Sequence, residues 1–93
     1  MKIVYKYQLQ LVAGIQTVQI TQEAEVIRFS RDGQGNQCLW ALVDTNEPIV
    51  ERRFQIIGTG DPLFEDKNYK YIGSVEIEDL LSWFVFHCFE VLR

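Results

Sequence analysis

This chain is short of most of what catalysis and metal binding require. It holds one histidine and two cysteines, with no CxxC or HxxxH spacing, so no tetrahedral metal site can be assembled from neighbouring ligands. Cys38 and Cys88 each fall inside a strongly apolar run, which reads as buried, reduced thiols behaving as small hydrophobes. A disulfide is the weaker alternative, because nothing suggests a secretory context. Basic residues are outnumbered, nine against thirteen acidic, for a net charge of −4. They are scattered, and only Arg52 and Arg53 adjoin; in a strand those two face opposite sides. A negative chain without a basic stripe argues against sequence-independent nucleic-acid binding. The longest apolar run, Trp83 to Cys88, is far too short to span a bilayer. The polar residues of the opening MKIVYKYQLQ interrupt any signal-peptide core, so the expected location is the cytoplasm of the host cell. Repeats, low-complexity tracts and linkers are missing too.

What is present is a strand-like pattern over one domain of 93 residues. Residues 3–11 alternate, with Ile3, Tyr5, Tyr7, Leu9 and Leu11 on one face and Lys2, Lys6, Gln8 and Gln10 largely opposite, the mark of a half-buried strand. Ala13-Gly14 allows a tight turn, and residues 15–20 read as the hairpin partner of that first strand. A third strand is expected over residues 24–31. Asp32-Gly33-Gln34-Gly35-Asn36 is the strongest turn signal, with both glycines able to take positive φ, and should join the third strand to a fourth over 37–44. After the break at Thr45-Asn46-Glu47-Pro48, residues 49–57 form a strand with Val50, Phe54 and Ile56 on mixed faces. A polar loop then leads to residues 69–77, which alternate through Tyr69, Tyr71, Gly73, Val75 and Ile77. Glu78-Asp79 reads as a short turn. The last strand runs from about residue 82 to 91, with a helical turn conceivable at Leu80–Ser82. The expected fold is all-β, about seven mostly antiparallel strands in a small sandwich or partly open barrel.

Few residues invite a chemical role. Gly58-Thr59-Gly60-Asp61-Pro62 is the most suggestive loop, since glycines let backbone amides approach a ligand. It lacks the phosphate-loop pattern, however, and Asp61 and Pro62 oppose anion binding. His87 adjoins Cys88, but strand neighbours face opposite sides, so a packed core histidine is the simpler reading. Glu76, Glu78 and Asp79 cluster, as do Glu65 and Asp66, and solvation near turns explains both. The aromatics Tyr5, Tyr7, Trp40, Phe54, Tyr69, Tyr71 and Trp83 suit a core, or a stacking platform beside Arg52 or Arg53.

Four blocks, CLWALVD, RRFQIIGTGDP, YIGSVEI and FVFHCFEV, resemble in order and spacing a family of short phage and prophage proteins of unknown function. The similarity extends from IVYKYQLQL to FVFHCFE. The family pattern singles out Trp40, Arg52, Phe54, Gly58, Gly60, Pro62, Tyr71, Gly73 and His87. This chain departs from it at EIEDLLSW, where a shorter, glycine-richer turn is expected. The resemblance implies a phage or prophage origin and no activity.

Three functions follow as expectations. The first is a non-enzymatic accessory protein that binds a host protein, with a defence component as the target by analogy. The second is a nucleotide-type ligand site built in a homo-oligomer. The third is an enzyme using His87. The contact residues expected for a partner or ligand are Trp40, Arg52, Arg53, Gly58, Thr59, Gly60, Asp61, Tyr71 and His87. No cofactor or metal is expected. Homo-oligomerisation is, because open sheet edges call for a covering partner.

Overall fold

The computed structural model describes residues 1–78 and 80–92. Seven strands follow in order: β1 (Lys2–Leu9), β2 (Ile15–Thr21), β3 (Glu25–Arg31), β4 (Gln37–Asp44), β5 (Ile49–Gly58), β6 (Tyr69–Glu78) and β7 (Trp83–Val91). They form two antiparallel sheets, β1-β4-β3 and β2-β5-β7-β6. There is no helix among the described residues, and so none long and apolar enough to cross a membrane. The thin dimension is 16 Å, room for two sheet layers and no third.

The chain changes layer at β1–β2, β2–β3 and β4–β5, and the first of these changes overturns one expectation. β1 and β2 are consecutive but not a hairpin: β1 pairs with β4 and β2 with β5. The alternation of both segments is satisfied by burying one face of each from opposite sides of the core. Of the two hairpins expected, β3–β4 forms. There the Asp32 carboxylate accepts the N–H groups of Gln34 and Asn36 at 2.8 and 2.9 Å. Gly35 alone takes the positive φ, 85°; Gly33 does not, since the side-chain cap already closes the turn.

The core lies between the inner faces. Phe54, Ile20, Leu39, Val43 and Cys88 are fully buried there, while the equally buried Cys38 lies on the opposite face of β4 against Asp32. Each large apolar side chain so buried contributes about 1.5–3 kcal/mol. Val50, Arg52, Phe54 and Ile56 share one face of β5, not mixed faces, because β5 runs unbulged against β7 over 53–58. A β-bulge between Tyr71 and Gly73 changes the expected alternation of β6. It turns Tyr69 and Tyr71 outward while Gly73, Val75 and Ile77 face the core. Gly73 is where β6 meets β3: a Cβ there would stand 3.3 Å from the Phe29 Cβ. Residues 80–82 form bends with no helical turn, and the expected turn at Glu78-Asp79 falls partly outside the described residues.

β5 and β6 both run antiparallel to β7, on either side of it. They are therefore parallel to each other, and residues 59–68 must cross back along the sheet to join them. The crossing passes over the outer face. Tyr69 Oη accepts the Phe64 N–H at 3.1 Å and donates to Gln55 Oε1 at 3.3 Å. That strap explains why Gln55 and Val91 are 5% and 4% exposed although both point away from the core.

Candidate functional site: the crossover end of the four-stranded sheet

Where β5 ends, the crossover opens with a closed turn. Thr59 N–H donates to the Val85 carbonyl at 3.3 Å, carrying the β5–β7 pairing one step further. Gly60 then takes φ 92°, a conformation that favours glycine. Asp61 folds back on Gly58: its N–H donates to the Gly58 carbonyl at 3.1 Å, and its carboxylate accepts the Gly58 N–H at 3.0 Å. A Cβ at Gly58 would lie 3.0 Å from that carboxylate, which would have to give by a few tenths of an ångström to accommodate it.

A row of hydrogen bonds ties this turn to the rest of the sheet. Thr59 Oγ1 and His87 Nε2 are 2.8 Å apart, His87 Nδ1 and Ser74 Oγ 2.8 Å, and Ser74 Oγ and Tyr71 Oη 2.8 Å. Thr59 Oγ1 also reaches the Val85 carbonyl at 3.4 Å. In the His87 tautomer with its proton on Nε2, Thr59 accepts from the ring and Nδ1 accepts from the Ser74 hydroxyl; the other tautomer reverses both roles. A serine that donates to an imidazole is half of a nucleophilic site. Here, however, the far nitrogen meets a neutral threonine, where a hydrolytic triad places a carboxylate to stabilise the imidazolium. The row holds the turn against β6 and β7.

Around the turn the surface is apolar. On one side a groove of about 500 Å³ runs between the turn, residues 11–14 and Phe64. On the other, a recess of about 430 Å³ is walled by Trp83 and Phe84. Phe86 borders both. Leu11, Val12, Phe64, Trp83 and Phe84 are all exposed, Trp83 by 65% and Phe64 by 53%. Leu80 and Leu81, just ahead of Trp83 in the chain, are exposed as well. Three exposed carboxylates, Asp61, Glu76 and Glu78, lie at this end.

Six of the nine expected contact residues come together here. Gly58, Thr59, Gly60 and Asp61 make the turn, and His87 and Tyr71 are joined to it through Ser74. The other three lie elsewhere. Trp40 is on the outer face of the three-stranded sheet under the Arg28 guanidinium, 5.6 Å from its ring centroid. Arg53 is on the outer face of β5, opposite Thr17 and Val91. Arg52 points inward and is consumed there. Its Nε and Nη2 donate to the two Glu90 carboxylate oxygens at 2.6 and 2.7 Å, and Nη1 donates to the Ala24 carbonyl at 2.6 Å. Arg52 is thus committed to Glu90 and Ala24 on the inner face, away from this end.

The residues not foreseen are Ser74, Phe64, Phe84 and Phe86, with Leu11 and Val12. Ser74 was hidden by the bulge, since strict alternation places it opposite Tyr71. The aromatics read as core because nothing local distinguishes an apolar residue that the second sheet fails to cover.

Fold and site together define a small two-sheet β protein with an uncovered apolar end bordered by three carboxylates. The chain belongs to the family described as a domain of unknown function, DUF7352, whose model matches residues 1–93. No match was found among the curated proteins or among the solved structures.

Proposed function

We propose that this is a non-enzymatic binding protein whose crossover end docks onto another protein. The observation that carries the proposal is the concentration of exposed large apolar side chains at one end, around two adjoining concavities. Soluble monomers seldom leave such a patch uncovered without a use for it, and aromatic anchors such as Trp83 and Phe84 dominate the energetics of protein interfaces. The carboxylate rim selects a partner with a basic border, which favours encounter and correct partner choice. The likeness of four sequence blocks to phage and prophage proteins makes a host protein the partner, with defence machinery the class suggested by analogy.

The reading is tested by affinity capture from host lysate with wild type, Trp83→Ser, Phe64→Ser and the control Ile49→Ser. A protein retained by wild type and the control, lost with the other two and weakened by salt, supports it. A capture set indifferent to Trp83 and Phe64 overturns it. The nucleotide-pocket alternative is the weaker one: Arg52 is engaged with Glu90, and Asp61 puts negative charge at the rim of the groove.

A further inference from the structure

Independently of that end, we infer that two copies of this chain pair through β1, antiparallel about a two-fold axis at Tyr5, to make one continuous six-stranded sheet. The backbone determines which groups are on offer. Thr45 N–H donates to the Met1 carbonyl, and β1 keeps unbroken register with β4 from Lys2↔Asp44 to Leu9↔Gln37. Main-chain groups alternate sides along a strand. Those of Ile3, Tyr5, Tyr7 and Leu9 therefore meet β4, and those of Lys2, Val4, Lys6 and Gln8 point to the open edge. Gln10 continues the outward series, and its N–H and C=O are already bonded to the Gln16 side-chain amide at 2.8 and 2.7 Å. The open edge is thus a bounded row of four residues, capped at its C-terminal end.

That row complements itself in one register. With Tyr5 opposite Tyr5, Lys2 meets Gln8 of the second copy and Val4 meets Lys6 of the second copy, so every outward group in both copies finds a partner. A two-residue slip one way sets Lys2 against Lys6; the other way sets Lys6 against itself. Cross-strand like charges are destabilising, so both slips are disfavoured. The lysines that usually guard an edge have partners within the chain: Lys6 Nζ is 3.1 Å from the Asp32 carboxylate, and Lys2 lies opposite Asp44.

The other edges differ. β3 and β6 each carry a bulge and lie against one another. β2 has its apolar residues Val18 and Ile20 buried already. β1 exposes apolar side chains along an unbulged middle, Val4 by 51% and Tyr5 by 45%, whereas the exposed Ile27 of β3 and Tyr71 of β6 sit at the bulges. In the pairing Tyr5 packs on its symmetry mate, and Ile3 on Tyr7 of the second copy.

Light scattering over a concentration series should show twice the 10.9 kDa chain mass. Val4→Pro removes an outward N–H without touching the ladder to β4 and should give the monomer mass. Tyr5→Cys tests the register directly. Tyr5 sits in a non-hydrogen-bonded pair, where Cα atoms are about 4.5 Å apart, within disulfide range. It should oxidise to a covalent dimer, whereas Val4→Cys, which faces Lys6, should not. Wild type that stays monomeric, a dimer that survives Val4→Pro, or Tyr5→Cys that fails to cross-link overturns the inference. Should Val4→Pro not fold, the Tyr5→Cys result decides alone.

Discussion

Replacing Arg52 by methionine should cost about 3 kcal/mol of folding stability. The guanidinium is held by three hydrogen bonds, two to Glu90 and one to the Ala24 carbonyl, all between 2.6 and 2.7 Å. The Glu90 side chain is 9% exposed and the Arg52 side chain 21%. Removing Arg52 strands a carboxylate and a carbonyl in the interior, and breaking one half of a buried pair costs about 3–5 kcal/mol. The partial exposure of Arg52 favours the lower end. The hydrogen bonds to Glu90 also raise the guanidinium above its already high ordinary value, so Arg52 stays cationic at any working pH. In a domain of this size about 3 kcal/mol corresponds to a fall in Tm of roughly 12–24 °C. Arg52→Met combined with Glu90→Leu should recover most of the loss, since an apolar pair of similar volume often matches or exceeds a buried ion pair. Urea denaturation of the four proteins of the double-mutant cycle measures the coupling. A single-mutant cost below about 1 kcal/mol, or strict additivity, would refute the assignment of Arg52 to the core.

Three further outcomes follow from particular contacts. Gly73→Ala places a methyl group 3.3 Å from the Phe29 Cβ and should destabilise by about 1–3 kcal/mol, as overpacking does; a neutral result in a denaturation curve would mean that β3 and β6 are not so close. Hydrogen bonds from the Asn36 and Gln34 amides and from Lys6 hold the Asp32 carboxyl far below the usual carboxylate range. A carboxyl depressed in the folded state stabilises above its unfolded pKa of about 4, and that contribution is lost as pH falls toward the folded value. The urea midpoint should therefore drop below about pH 4, less steeply in Asp32→Asn; equal slopes would argue against the depression. Burial pushes the Cys88 thiol up to about 12 and raises Cys38 as well, so a thiol reagent at mildly alkaline pH should label neither until the protein unfolds. Rapid labelling of the native state would contradict the packing.

The elements were legible because each strand carries its own signal. Alternation in residues 3–11, the Asp32 to Asn36 turn and the aromatic run 84–91 lie within single segments. Pairing was not legible. Whether residues 15–20 return along β1 or cross to the other sheet depends on which face each strand buries, and both choices satisfy the same alternation. The site was half legible for the same reason. The glycines of residues 58–60 announce a turn by their conformational freedom, and His87 stands out as the one histidine of the chain, set in an apolar run. Their connection passes through Ser74, whose side depends on a bulge that leaves no mark in YKYIGSVEI. Arg52 and Arg53 look equivalent in sequence, and only the position of Glu90 across the β5–β7 ladder commits Arg52 to the interior.

The central claim, that the crossover end is a docking surface, is tested most directly by site-specific photo-cross-linking. A photoreactive phenylalanine is placed at Phe84 and, as a control, at Ile49 near the opposite end of β5, and each protein is irradiated in host lysate. One discrete cross-linked host protein is expected from position 84 and none from position 49. An equal or empty pattern at the two positions would contradict it.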